Sequence, residues 1–151
     1  MQRLPGSVLF ACDHNAVRSP MAEGFLKLRH GDKVYVDSVG VRAGDLDPFA
    51  VAVMQEIGVD ISRHNPKTFD DLQDTSFDVI VSLSPPAQHG AVELTRTMAC
   101  DLVFWHTIDA TAVRGNRETI LDAYRQARDS ILARIDEQFA SPAVVREQET
   151  P

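Results

Sequence analysis

The chain has 151 residues, 44% hydrophobic content and a formal net charge of -7. That length suits one core, and the acidic balance argues against a nucleic-acid partner, whose phosphates want a basic face. Two cysteines exclude a disulfide scaffold, the scattered histidines exclude a zinc-type cluster, and no apolar stretch is long enough to span a bilayer.

Met1 to Ser7 lacks the long apolar run of a secretory leader, so a cytoplasmic location is expected. Ser7 to Ala11 is an apolar run that predicts a first strand, buried on both faces. A loop follows from Cys12 to Arg18. Ser19 to Arg29 is predicted helical, with Pro20 suited to the first turn. Val34 to Val39 alternates as a second strand and ends at Gly40. Pro48 to Ile57 predicts a second helix with Phe49, Val53 and Ile57 on one stripe and Gly58 after it.

Asn65 to Leu72 is short enough for a helical turn or two. Phe77 to Leu83 is a β-branched third strand. Pro85-Pro86 blocks its continuation, and Ala87 to Thr97 is expected to be helical. Asp101 to His106 reads as a fourth strand and Thr107 to Asn116 as a loop. Arg117 to Phe139 is the longest helix, with Ile120, Tyr124, Ala127, Ile131, Ile135 and Phe139 on one face.

Strands alternating with helices predict an α/β fold. It is a four-stranded parallel sheet flanked by helices on both faces, with a phosphate-binding loop after the first strand. One domain is expected over residues 1–139, followed by a flexible tail at 140–151. In such sheets ligands bind beyond the carboxyl ends of the strands. Cys12 stands at one such end, and Ser84 and Asp109 lie just after two others.

Cys12, Asp13, His14, Asn15, Ala16, Val17, Arg18 and Ser19 carry the chemistry. A helix N-terminus and a nearby cation both favour the thiolate, which is the nucleophilic form of cysteine. The planar fork of Arg18 can bind two oxygens of a phosphate at once. Backbone N–H groups from Asp13 to Arg18 can form an anion nest. Ser19 can donate a hydrogen bond to the thiolate, and Asn15 can fix the loop backbone through its side chain. Substrate contacts are therefore expected from Asp13 through Ser19, with Cys12 and Arg18 as catalytic residues.

At these residues the chain resembles the low-molecular-weight protein tyrosine phosphatase superfamily, which includes thioredoxin-coupled arsenate reductases. The resemblance runs from Val8 to Ile135. Cys12-x5-Arg18-Ser19-Pro20-Met21-Ala22-Glu23 is its strongest part; Ser38-Val39-Gly40, Gly58 to His64, and Trp105 to Asp109 add to it. The resemblance implies a cysteine-dependent phosphomonoester phosphatase, of the protein tyrosine phosphate type, that acts through a phosphocysteine. Asp109 stands at the position of the family's acid. The implied alternative is an arsenate reductase using an external thiol, such as mycothiol or a glutaredoxin; a weakly active oxyanion-binding module is a further reading, motivated by Asp13, His14 and Ala110. The implied partner is a phosphorylated substrate or small oxyanion, with no nucleic acid and no membrane, and the chain acting as a monomer or weak dimer.

The sequence also departs from the family pattern. Asp13 and His14 replace a small residue and a glycine, and Asp13 is expected to point outward into solvent. His14 either touches substrate, titrates with Asp13 or is an exposed imidazole. Ala110 replaces a proline, and neither Thr111-Ala112 nor Arg42 to Leu46 supplies an aromatic cleft wall. The first relay cysteine of the reductases falls at Ser84, while Cys100 reads as a small buried hydrophobe. Some of those reductases bind potassium; the resembling positions are Asn15, Glu23 and Ser38, with Lys67 where a carboxylate would fall. The Lys67 ammonium can substitute for the cation there, or Glu23 is a plain helix-face carboxylate and Lys67 is solvated; no metal and no cofactor is expected.

Overall fold

The computed structural model describes residues 4–73 and 76–139. Strand β1 (Ser7–Cys12) lies at the centre, between β2 (Tyr35–Gly40) and β3 (Val79–Ser82). β4 (Asp101–Phe104) borders β3, so the order is β2-β1-β3-β4, with every pair parallel. Successive side chains of a strand face opposite ways. Val8, Phe10 and Cys12 therefore join one core, and Leu9 and Ala11 join the other.

Three helices cover the first face: α1 (Arg18–His30), α2 (Pro48–Gln55) and α4 (Arg117–Gln138). Phe10, Trp105 and Phe139 meet there with ring centroids 6.1–6.4 Å apart. The second face is covered by α3 (Pro85–Leu94) and the short turn Phe69–Asp71, through Ala87, Ala91 and Phe69. Among the described residues no helix is long and apolar enough to cross a membrane.

The expected boundaries move in several places. The ladders of β3 and β4 are four residues each, shorter than Phe77–Leu83 and Asp101–His106. α2 stops at Gln55, and only Phe69–Asp71 of the 65–72 stretch is helical. Helix α3 begins at Pro85, not Ala87, and ends at Leu94. Ser84 caps it by accepting from the Ala87 amide at 3.3 Å, and its first turn needs no N–H from proline. The loop after β4 contains a turn at Ala110–Ala112, capped by the Asp109 carboxylate. The expected tail at 140–151 lies outside the described residues.

This topology brings the ends of β1 and β3 and the segment after β4 to one rim. Cys12, Ser84 and Thr107–Asp109 converge there from three parts of the sequence.

Candidate active site

The Cys12–Arg18 loop is clasped from outside by the segment after β2. The carbonyls of Cys12, Asp13, His14 and Ala16 accept from the amides of Val41, Arg42, Gly44 and Asp47, at 2.9–3.2 Å. A trans peptide holds its C=O and N–H on opposite sides. Carbonyls fixed outward thus leave the intervening N–H groups facing inward, as an anion nest requires. Gly40 makes the clasp possible, since a Cβ there would sit 2.5 Å from the Arg42 carbonyl and 2.6 Å from the Asn15 amide.

Asn15 is the one non-glycine among the described residues with positive φ, at 53°. Asparagine tolerates this region better than most residues. Its fully buried side chain spends all its hydrogen-bonding capacity behind the loop. Nδ2 donates to Ser19 Oγ at 2.8 Å and Ser38 Oγ at 2.9 Å; Oδ1 accepts from His64 Nε2 and the Lys67 amide, each at 2.9 Å. Ser38 in turn donates to Glu23 Oε1 at 2.5 Å. His64 sits 3.7 Å from the same carboxylate, and burial first of all holds its pKa below the ordinary value of 6.5. The neutral tautomer with a proton on Nε2 suits these contacts.

Lys67 does not place its ammonium in this cluster; it pairs with Asp37 at 2.5 Å, and Lys27 neutralises Glu23 instead. The reason is reach: the Lys67 backbone already contacts Asn15, so its side chain extends past that cluster. Protein donors take the Asn15 carbonyl and the Glu23 carboxylate, so this donor set does not fit a bound cation.

Ser19 transmits this support to the thiol. Its Oγ lies 3.0 Å from Cys12 Sγ and its backbone N–H 3.4 Å away. Both can donate to a thiolate. Arg18 is 7% exposed, with Nη1 on the Leu83 carbonyl at 3.2 Å and the Thr107 carbonyl at 3.4 Å. Fixing one edge of the guanidinium aims the other at the pocket.

Asp13 overturns the expectation of an outward, solvated side chain. Its Oδ2 lies 3.3 Å from Arg18 Nη2, and its Oδ1 accepts from Ser84 Oγ at 2.5 Å. Two donors, one of them charged, offset the cost of drawing the carboxylate inward. Ser84 thus caps α3 and holds Asp13 at the same time.

These groups open into a pocket of about 530 Å³ lined by Cys12, Asp13, His14, Ala16, Val17 and Arg18. Asn15 and Ser19 stand behind the loop and do not line it. Asp109 lies on the pocket rim, exposed, with its Oδ1 on the Thr111 amide and hydroxyl. The pocket also has an aromatic wall that the sequence reading missed. Phe49 and Tyr124 both line it, with centroids 5.4 Å apart. Tyr124 donates to Asp47 Oδ2 at 2.6 Å, while Asp47 caps α2 through the Phe49 amide. Burial and the neighbouring Asp47 carboxylate push the Tyr124 phenol above its usual range. The expectation of few stacking partners is therefore corrected: the aromatics come from α2 and α4, not from the loops.

A sequence model of the family described as low molecular weight phosphotyrosine protein phosphatase matches residues 7–141. The chain belongs to that family. It is an enzyme of the low-molecular-weight phosphatase type, and arsenate reductases are related members. It is 35% identical to an arsenate reductase of Halalkalibacterium halodurans over 129 residues, 85% of this chain and 91% of that one. It is 38% identical to a glutaredoxin arsenate reductase of Synechocystis sp., over 50% of this chain and 58% of that one. A solved arsenate reductase in its oxidised state superposes with a TM-score of 0.72 and 28% identity, covering 89% of this chain and 97% of that one.

Proposed function

We propose that the protein hydrolyses phosphomonoesters through a phosphocysteine at Cys12. One observation carries this proposal: Cys12, Arg18 and Asp109 line a single pocket, and no second cysteine does. Cys100 packs against the opposite face of the sheet. An internal dithiol relay from Cys12 is therefore unsupported, whereas a nucleophile, an oxyanion clamp and a carboxyl share one cleft.

In this mechanism the Cys12 thiolate attacks phosphorus in line. An S–P bond forms, the P–O bond to the leaving group breaks, and Asp109 gives its proton to the departing oxygen. Arg18 and the loop amides hold the equatorial oxygens. Asp109 then takes a proton from water, which attacks phosphorus and releases phosphate and the thiolate. Phe49 and Tyr124 suit an aryl leaving group.

A second function has support from the relatives, several of which are named arsenate reductases. There the thiolate displaces hydroxide from arsenate to form an S–As bond. A diffusing thiol then attacks Cys12 sulfur, the S–As electron pair reduces arsenic, and arsenite leaves. A second external thiol would release Cys12 from the mixed disulfide.

One experiment separates them. p-Nitrophenyl phosphate hydrolysis is measured beside arsenate-dependent oxidation of glutathione, mycothiol and thioredoxin. Hydrolysis lost in Cys12→Ser and reduced by about 10²- to 10⁴-fold in Asp109→Asn supports the phosphatase. Arsenate-dependent thiol oxidation without hydrolysis at any pH overturns it.

A further inference from the structure

Asp13 is the carboxylate of this pocket that meets the Arg18 guanidinium, and oxyanion chemistry alone does not call for it. Its carboxylate faces Arg18 Nη2 at 3.3 Å and accepts from Ser84, which is 2% exposed. The other charged and titratable groups lining the same pocket are Cys12, His14, Asp45, Asp47, Asp109 and Tyr124, besides Arg18. Arg18 is the single permanent cation among them. A fully ionised dianion entering beside Asp13 meets an acceptor with no proton to offer. An oxyanion that still carries a hydroxyl can donate that proton to Asp13 and place its ionised oxygens on Arg18 and the loop amides.

We propose that Asp13 is a specificity-determining residue that makes the pocket select tetrahedral oxyanions bearing an O–H group over fully ionised ones. Dihydrogen phosphate, dihydrogen arsenate and the monoanion of a phosphomonoester qualify; sulfate does not. A carboxylate cannot accept a hydrogen bond from an anion that has no hydrogen. The mismatch leaves two negative oxygens in contact inside a partly buried site, where charge is poorly screened. This selection rests on the oxyanion pocket of the proposed function but not on the hydrolytic step.

The test is binding, not turnover. Inorganic phosphate and sulfate are compared, at about pH 6, for protection of Cys12 against alkylation by iodoacetamide, and calorimetry gives the affinities. Phosphate carries at least one hydroxyl there, and sulfate none. The wild type is expected to prefer phosphate by at least about tenfold, the factor a charged hydrogen bond commands. Asp13→Asn keeps the shape and the Ser84 contact but offers an amide; the preference is expected to collapse at least tenfold, chiefly through tighter sulfate binding. A wild type that binds the two anions alike overturns the proposal without any variant. An unchanged preference in Asp13→Asn overturns it too. Protection by neither anion overturns the proposal and the oxyanion pocket together. Loss of hydrolysis with intact anion preference would count only against the phosphatase mechanism.

Discussion

Asn15 offers the sharpest check on how the loop is held. Its side chain makes four hydrogen bonds at 2.8–2.9 Å, and its φ of 53° lies where a Cβ is unwelcome. Asn15→Gly removes the four bonds and leaves the backbone at ease. The serines have other partners, since Ser38 retains Glu23 and Ser19 retains the Cys12 sulfur. His64 Nε2 and the Lys67 amide are left unpaired, at about 1–3 kcal/mol each. A loss of roughly 3–4 kcal/mol is expected. Asn15→Ala loses the same bonds and adds about 1–2 kcal/mol for the left-handed backbone. Glycine should thus be more stable than alanine here, the reverse of ordinary helix positions. Urea unfolding followed by fluorescence of Trp105, the chain's one tryptophan and 3% exposed, measures both variants. Both should also lose at least about tenfold in turnover of an aryl phosphate, because a loop amide misplaced by an ångström no longer meets the oxyanion. An alanine variant as stable as glycine, or a loss in both below about 1 kcal/mol, would refute the account of Asn15 as the keystone of the loop.

The His64 pKa is depressed, chiefly by burial, so the unfolded chain takes up the proton first as pH falls. Stability is therefore fully present above the ordinary value of 6.5 and declines as pH drops through the lower folded-state value. Urea midpoints should fall between about pH 7.5 and pH 5, and His64→Gln should flatten that slope; an identical slope in the variant would remove His64 from the account. Phe49→Ala should reduce the ratio of kcat/KM for aryl over alkyl phosphates by about fivefold, the worth of one ring contact, while an unchanged ratio would mean that the wall does not meet the leaving group. Gly40→Ala should cost about 1–3 kcal/mol and slow turnover, since its Cβ would collide with backbone on both sides. Chemical denaturation and steady-state rates of that variant check it, and native values in both would show that the clasp yields freely.

The strand and helix order was legible because apolar period alone separates a buried strand such as Val8-Leu9-Phe10 from the striped helix α4. The Cys12–Arg18–Ser19 spacing likewise announced a thiol beside a guanidinium. The direction of Asp13 was not legible, because its partner Ser84 lies 71 residues away and its orientation follows from where β3 ends. The aromatic wall was hidden for a different reason. Phe49 and Tyr124 fall on helical stripes, and the same stripe serves a core face or the side of a cleft. Only the packing of α2 against α4 at the rim decides between the two. The course of Lys67 was not legible either, because sequence position places its backbone near Asn15 but not the reach of its side chain to Asp37.

Ser84 ties these observations to the choice of chemistry. Its hydroxyl donates to Asp13 while its oxygen accepts from α3, so one small polar atom group serves both sides of the rim. A cysteine there would be a weaker donor and would loosen the Asp13–Arg18 pair. The position is committed to holding a carboxylate on the guanidinium, and it is closed to solvent. Whatever resolves a covalent adduct on Cys12 must therefore enter through the open mouth, past Asp109 and the Phe49–Tyr124 wall. On the proposed mechanism, water entering there meets the carboxylate of Asp109. Asp45, Asp47 and Asp109 line that pocket, so an anionic external thiol meets the same like charges as the oxyanion substrate itself.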